Sequence, residues 1–209
     1  MTERTAQTKK EQILQAALTL FAENGYPETH IRDIAESCGM GKSTFYDYFK
    51  SKEDLLLEVF EKKIIAPYEE LPEQLKTPGL SCKDKLRMFL RFESKMAGLM
   101  GNPRNHMNFL PSQNDILKKE EACCAIERFT LLRFSIIFHI LEDGVRSGEF
   151  RNVDIFRATT FIMGSLLFSC CLDYQIPLFP TEFTASFQPM TQEQSEDEFM
   201  NLILQGLTK

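Results

Sequence analysis

The chain has 209 residues, 43% of them hydrophobic and 26% charged, with a formal net charge of −6. That length can bury a real core, in one large domain or two modest ones. No apolar run approaches the length of a bilayer span and the opening MTERTAQTKKEQ has no apolar signal core, so a cytoplasmic chain with no membrane association is expected. The six cysteines include the adjacent pairs Cys123-Cys124 and Cys170-Cys171, but no CxxC and no zinc-type Cys/His spacing. They read as small buried apolar residues, and no metal or other cofactor is expected. Residues 1–52 hold as many acids as bases, so the acidic excess lies wholly beyond residue 52. A neutral N-terminal module carrying Arg4, Lys9, Lys10, Lys42, Lys50 and Lys52 permits contact with a phosphate backbone.

The first predicted helix opens at Thr8, which forms a capping-box pair with Glu11. Ile13, Leu14, Ala17, Leu18 and Phe21 then repeat with helical period, and Asn24-Gly25 ends it. Thr29 is expected to cap the second helix, whose Ile31, Ile34, Ala35 and Cys38 share one face and which stops at Gly39. The third opens at Gly41, turns Phe45 and Phe49 inward, and leaves Lys42, Ser43, Thr44, Tyr46 and Tyr48 on or near the outward side. Two short helices joined by a tight glycine turn follow the helix-turn-helix plan, whose second helix enters the DNA major groove. Ser and Thr can meet base edges or phosphates, and Lys and Tyr suit phosphates. Periodicity by itself equally describes three amphipathic helices of an ordinary α-domain.

The residues IRDIAESCGMGKSTFYDYFKSKEDLL, preceded by ILQAALTLFAENGY, resemble the N-terminal domain of the TetR family of bacterial transcriptional regulators. The resemblance covers about the first quarter of the chain. It implies an all-α protein with a three-helix DNA-binding domain at residues 1–52, a connecting helix over about 51–70, and a larger helical ligand-binding and dimerisation domain at 71–209. It also implies that Lys52 is a phosphate contact. The candidate DNA contacts are then Lys9, Thr29, Lys42, Ser43, Thr44, Tyr46, Tyr48 and Lys52. Two departures bear on which sequence is read: Gly41 stands where the family often has Ser or Thr, and Asp47-Tyr48 replaces the usual Tyr-His or His-Tyr.

Ser51 caps the connecting helix, with Glu53 and Asp54 in its first turn where the helix dipole favours acids. Pro67 and Pro72 are expected to interrupt it, and LKTPGLSCKD reads as a loop. A helix shared between two domains is a natural lever. From about Ser81 to Met100 a helix carries Leu86, Phe89, Leu90, Met96, Ala97 and Met100 on one side, interrupted by Glu93. Glu93 is either solvated at the stripe's edge or a pocket carboxylate. Residues 101–115 read as a connection in which Met107 and Phe109 can wall a cavity or cover a core. Helices over about Ile116–Arg146 and Val153–Tyr174 follow, each apolar over most of its circumference, then a Phe- and Pro-rich loop at 176–190 and a final helix over about Thr191–Leu207.

A helix apolar nearly all round is buried on more than one side. Two such helices from each chain make a symmetric four-helix interface, expected through Ile136, Ile140, Phe161, Gly164, Ser165, Leu166 and Ser169. The expected pocket residues are Phe89, Glu93, Met96, Met100, Met107, Phe109, Phe134 and Phe138. With no nucleophile–base pair, metal spacing or phosphate-binding glycine loop, an enzyme is not expected. The expectation is a homodimeric, ligand-responsive regulator that binds an inverted-repeat operator in double-stranded DNA and answers to a small hydrophobic or amphipathic effector. Repression is implied by the resemblance alone. The competing reading is a helical interaction module that no longer reads DNA, motivated by Asp47 and the acidic balance.

Overall fold

A computed structural model describes residues 3–99, 120–173 and 192–208, and among these it contains helices and no strand. The helices are α1 (Glu3–Asn24), α2 (Ile31–Ser37), α3 (Lys42–Tyr46), α4 (Lys52–Val59), a π-helical turn (Phe60–Ile65), α5 (Ala66–Leu75), α6 (Cys82–Leu99), α7 (Glu120–Arg146), α8 (Ile155–Asp173) and α9 (Gln192–Leu207). None of the described helices is long and apolar enough to cross a membrane. The chain packs as two compact units, Met1–Glu69 with Gly98–Phe129, and Glu70–Ala97 with Thr130–Lys209.

In the first unit α1 presents Ile13, Leu14, Ala17, Leu18 and Phe21 to a core shared with Ile34 and Ala35 of α2, Phe45 of α3 and Leu55, Leu56 and Val59 of α4. The three- and four-residue spacing picks out these positions, but Ile31 and Cys38, which it places on the same face of α2, are half-buried. Helix α1 starts at Glu3, ahead of the expected Thr8. Thr8 and Glu11 satisfy the capping-box pattern, but nothing between Glu3 and Thr8 breaks a helix, so the pattern falls inside one. The connecting helix does not stop at Pro67 or Pro72 either. It widens into the π-helical turn and continues through both prolines to Leu75.

In the second unit the N-terminus of α6 is held by two acceptors. Ser81 Oγ accepts from the Asp84 N–H at 3.1 Å, and the Glu149 carboxylate accepts from the N–H groups of Cys82 and Lys83 at 2.7 and 2.9 Å. Helix α7 turns Ile136, Ile137, Ile140 and Leu141 inward, and Thr159, Ile162 and Leu166 of α8 and Met200, Ile203 and Leu207 of α9 are likewise buried. Gly148, at φ +78°, lets the chain reverse after α7 so that Phe150 folds back and its N–H bonds the Gly144 carbonyl at 2.9 Å. The Arg151 N–H bonds the Leu207 carbonyl at 2.8 Å and closes the end of α9. Of the cysteines expected to be buried, Cys82 is, but Cys38 and Cys123 are half-buried and Cys124 is exposed. The side chains of Cys170 and Cys171 lie outside the described residues.

Burial pushes the Glu149 carboxyl up, but the backbone N–H groups of Lys83 and Cys82 outweigh it and hold the group below the ordinary carboxylate range. A carboxyl with a depressed folded pKa stabilises the fold above its unfolded pKa of about 4.3 and loses that contribution as pH falls through the lower folded value. Glu149→Gln is therefore expected to cost about 1 kcal/mol at pH 7, the scale of a lost cap, and progressively less on acidification. Urea unfolding of both proteins at pH 7 and pH 3 checks this. An unchanged difference at pH 3 would mean that the loss comes from packing rather than charge.

Candidate nucleic-acid interface

The exposed face of α3 is built from two local devices and one anchor. Gly39 adopts φ +65° just past α2, where a side chain would be strained, and the Met40 N–H bonds back to the Ala35 carbonyl at 3.0 Å. Gly41 then caps α3 in extended conformation. Phe45 is fully buried and is the buried residue of this five-residue helix, its ring 5.7 Å from Phe49 and edge-on to Tyr46 at 5.6 Å. With Phe45 seated, Lys42, Ser43, Tyr46 and Asp47 are exposed, while Thr44 and Tyr48 are half-buried. The Tyr48 hydroxyl is buried, with no hydrogen-bond partner among the described residues.

Two expected contacts, Thr29 and Lys52, sit differently from the sequence reading. Thr29 does not cap α2: His30 holds that position, and its N–H is met by the Asp33 carboxylate at 3.3 Å. Thr29 is buried, and its hydroxyl donates to the carbonyls of Gly25 and Leu20 at 2.8 and 3.1 Å, closing the turn between α1 and α2. A buried hydroxyl bonded to its own backbone offers nothing to a phosphate. Lys52 is half-buried, its ammonium 4.3 Å above the Tyr26 ring and 3.3 Å from the Pro27 carbonyl. Burial pulls its pKa down, against the opposing charges of Glu53 and Glu28. Tyr26 donates in turn to Glu53 at 3.3 Å, and burial and then the Glu53 charge push its phenol well up. Lys52 thus fastens the 25–29 turn. Lys9 is half-buried, and Lys10 is paired with Glu58 at 2.7 Å. Burial raises the Glu58 carboxyl, but hydrogen bonds from Lys10 and Lys62 outweigh it and hold it low.

Among the expected pocket residues, Phe89 and Met96 are buried along α6. Glu93 lies between them, neither solvated nor free. It is buried and paired through both oxygens with Arg133, whose Nε donates at 2.9 Å. Arg133 was not singled out by the sequence, because a single arginine in an apolar helix carries no local signal of its partner. Phe134 and Phe138 stack on each other at 5.9 Å, half-buried, and Phe134 lies 5.4 Å from the exposed Phe156. They belong to an outer aromatic cluster rather than to the Phe89–Met96 stripe. Met100, Met107 and Phe109 lie outside the described residues. Of the expected interface residues, Ile136, Ile140 and Leu166 are buried against their own chain, so they have little surface left for a partner. Phe161 and Gly164 are exposed, Ser165 is half-buried with its hydroxyl on the Phe161 carbonyl, and the Ser169 side chain lies outside the described residues.

Residues 13–59, from the middle of α1 to the end of α4, match the family model for bacterial regulatory proteins of the tetR family. The fatty acid metabolism regulator protein of Bacillus subtilis (strain 168) is 29% identical over 164 residues, 76% of this chain and 79% of its own length. A crystal structure of the transcriptional regulator FadR from Bacillus subtilis in complex with stearoyl-CoA superposes with a TM-score of 0.69 at 26% identity, covering 94% of this chain and 98% of that one. The chain carries a TetR-family N-terminal domain. The HTH-type transcriptional repressor KstR2 of Mycolicibacterium smegmatis is 24% identical over 208 residues, 97% of this chain and 92% of its own length. The chain is a DNA-binding transcriptional regulator and not an enzyme. Helices α2 and α3 form its helix-turn-helix, and Lys42, Ser43 and Tyr46 are exposed on α3.

Proposed function

We propose that the chain is a homodimeric repressor that leaves an inverted-repeat operator when a long-chain acyl thioester binds its helical domain, the reader comprising residues 1–52 and the effector domain residues 71–209. The observation that carries the reading is the anchored, outward-facing α3, with Lys42, Ser43 and Tyr46 free of the core that Phe45 enters. Two such helices related by a two-fold axis meet two half-sites of an inverted repeat. Dimerisation through α7 and α8 is supported by the exposure of Leu131, Phe156 and Phe161, which are 64%, 60% and 72% exposed. Support for the effector class comes from the likeness to a regulator crystallised with stearoyl-CoA. An acyl chain with a polar head is also the amphipathic kind of molecule that an apolar cavity with a few polar groups accepts.

The test uses a duplex selected from random DNA by the full-length protein. Fluorescence anisotropy should show a preference for it over unrelated DNA that survives raised salt. Stearoyl-CoA should raise the Kd for the duplex, and coenzyme A alone should not. No change with stearoyl-CoA would remove the effector class. Equal, salt-sensitive binding to both DNAs would remove the sequence-specific regulator. Tyr46→Ala should weaken binding to the selected duplex by about 5- to 100-fold, the span of a lost base or phosphate contact, with its melting curve unchanged because the side chain lies outside the core.

A further inference from the structure

The helix that leaves the reader contains a register change, and two consecutive residues of α7 are matched to it. Pro67 has no N–H, and its ring excludes the carbonyl four residues back. The chain widens into the π-helical turn Phe60–Ile65, which ends two residues before Pro67, with the Ala66 N–H bonding the Glu61 carbonyl five residues back. Such a turn acts as one residue inserted into an α-helix. Phe60 and Tyr68 are eight residues apart, and so are Glu61 and Glu69. In an unbroken α-helix, residues at that spacing lie about 80° past two full turns and do not share a face. With one residue absorbed by the π-turn they are spaced as if seven apart, within about 20° of each other.

Both pairs are used. The Phe129 ring meets Phe60 at 5.5 Å and Tyr68 at 5.1 Å, edge-on to each. Arg128 bonds the Glu61 carboxylate and lies 3.6 Å from that of Glu69. In an all-α register one member of each pair would rotate away. The same stretch is tied to α1, through Lys10–Glu58 before the turn and Lys63–Glu11 within it. All of these groups belong to the first compact unit.

We propose that Arg128 and Phe129 are positioning residues for operator binding, a latch that holds the helix leaving the reader in its π-register. The inference rests on the reading above that the protein binds a specific operator as a dimer. Two recognition helices meet two half-sites only at one separation. A register slip between the reader and the remainder of the chain therefore loses the operator while each reader still meets DNA nonspecifically. Arg128 serves through its forked guanidinium, which can hold two carboxylates at once, whereas a lysine ammonium is a single point charge.

The experiment compares full-length wild type, Arg128→Ala, Arg128→Lys and Pro67→Ala on the duplex selected by the wild type and on unrelated DNA at low salt. Arg128→Ala and Pro67→Ala should each weaken binding to the selected duplex tenfold or more, leave binding to unrelated DNA within twofold, and keep a Tm near that of wild type. Arg128→Lys should recover part of the loss. In a double-mutant cycle, Glu69→Gln should add nothing once Arg128 is alanine. Wild-type affinity of Arg128→Ala for the selected duplex would overturn the latch, as would parallel loss on both DNAs or additive effects of Arg128→Ala and Glu69→Gln. If the wild type selects no duplex at all, the operator reading falls, and the latch with it. Failure of the variants alone removes only the latch.

Discussion

Phe45→Ala is expected to lower the unfolding free energy by about 3–5 kcal/mol, the range for emptying a buried aromatic site, and to abolish operator binding. Helix α3 is five residues long, and a helix that short has no stability of its own in water. It exists because Phe45, fully buried, fixes it to the core beside Phe49, and the outward aim of Lys42, Ser43 and Tyr46 follows from that anchor. The same substitution therefore acts on stability and on recognition. Phe45→Leu, which keeps most of the volume, should retain a larger share of both. Urea unfolding and anisotropy on the selected duplex measure the two effects. An alanine variant with wild-type stability would show that the α2–α3 turn, not the aromatic anchor, holds the helix.

Gly144→Ala should destabilise the second unit by about 1–3 kcal/mol, the usual cost of overpacking. The sign is what makes it informative. Gly144 lies inside α7, where propensity alone would have alanine gain about 1 kcal/mol over glycine. A methyl there would fall on the Phe150 ring, 2.9 Å from its Cγ and closer still to the ring edge. Phe150 has nowhere to go. It is 2% exposed, and its N–H is bonded to the carbonyl of Gly144 itself. Combining Gly144→Ala with Phe150→Leu should recover part of the loss, and thermal melts of the two single variants and the pair measure the coupling. A Gly144→Ala protein more stable than wild type would mean that the turn after α7 relaxes freely.

Much of the fold was legible because its determinants are local. Gly39 and Gly41 set the α2–α3 turn, and Ser51 caps α4, its oxygen accepting from the Asp54 N–H at 3.1 Å. Most positions spaced at three and four residues in α1 through α4 are buried, Ile31 and Cys38 of the α2 face being half-buried. In each case the interacting groups lie within about one helical turn of each other, so residue type and spacing carry the answer. The exposed face of α3 was readable for the same reason, since Phe45 and Phe49 mark its inner side.

The remaining features depend on partners distant in sequence. Thr29 is of a residue type that caps helices, but its hydroxyl bonds the Leu20 and Gly25 carbonyls and leaves the cap to His30. Glu93 found Arg133 forty residues on, and a stripe pattern cannot announce that. Prolines 67 and 72 point to an interruption of the connecting helix because proline cannot donate to the residue four back. The tertiary structure instead kept the helix and took up the defect as a π-turn, against which Phe129 packs on Phe60 and Tyr68. In α7 and α8 the difficulty was of another kind. When a helix is apolar over most of its circumference, period alone cannot say which stripe meets the core. Packing turned Ile136, Ile140 and Leu166 inward and left Phe156 and Phe161 outside. Local spacing and turn residues thus suffice to mark the helices and the α2–α3 turn, whereas the faces spent on the core follow from packing, because burial is a property of neighbours that the chain brings together only by folding.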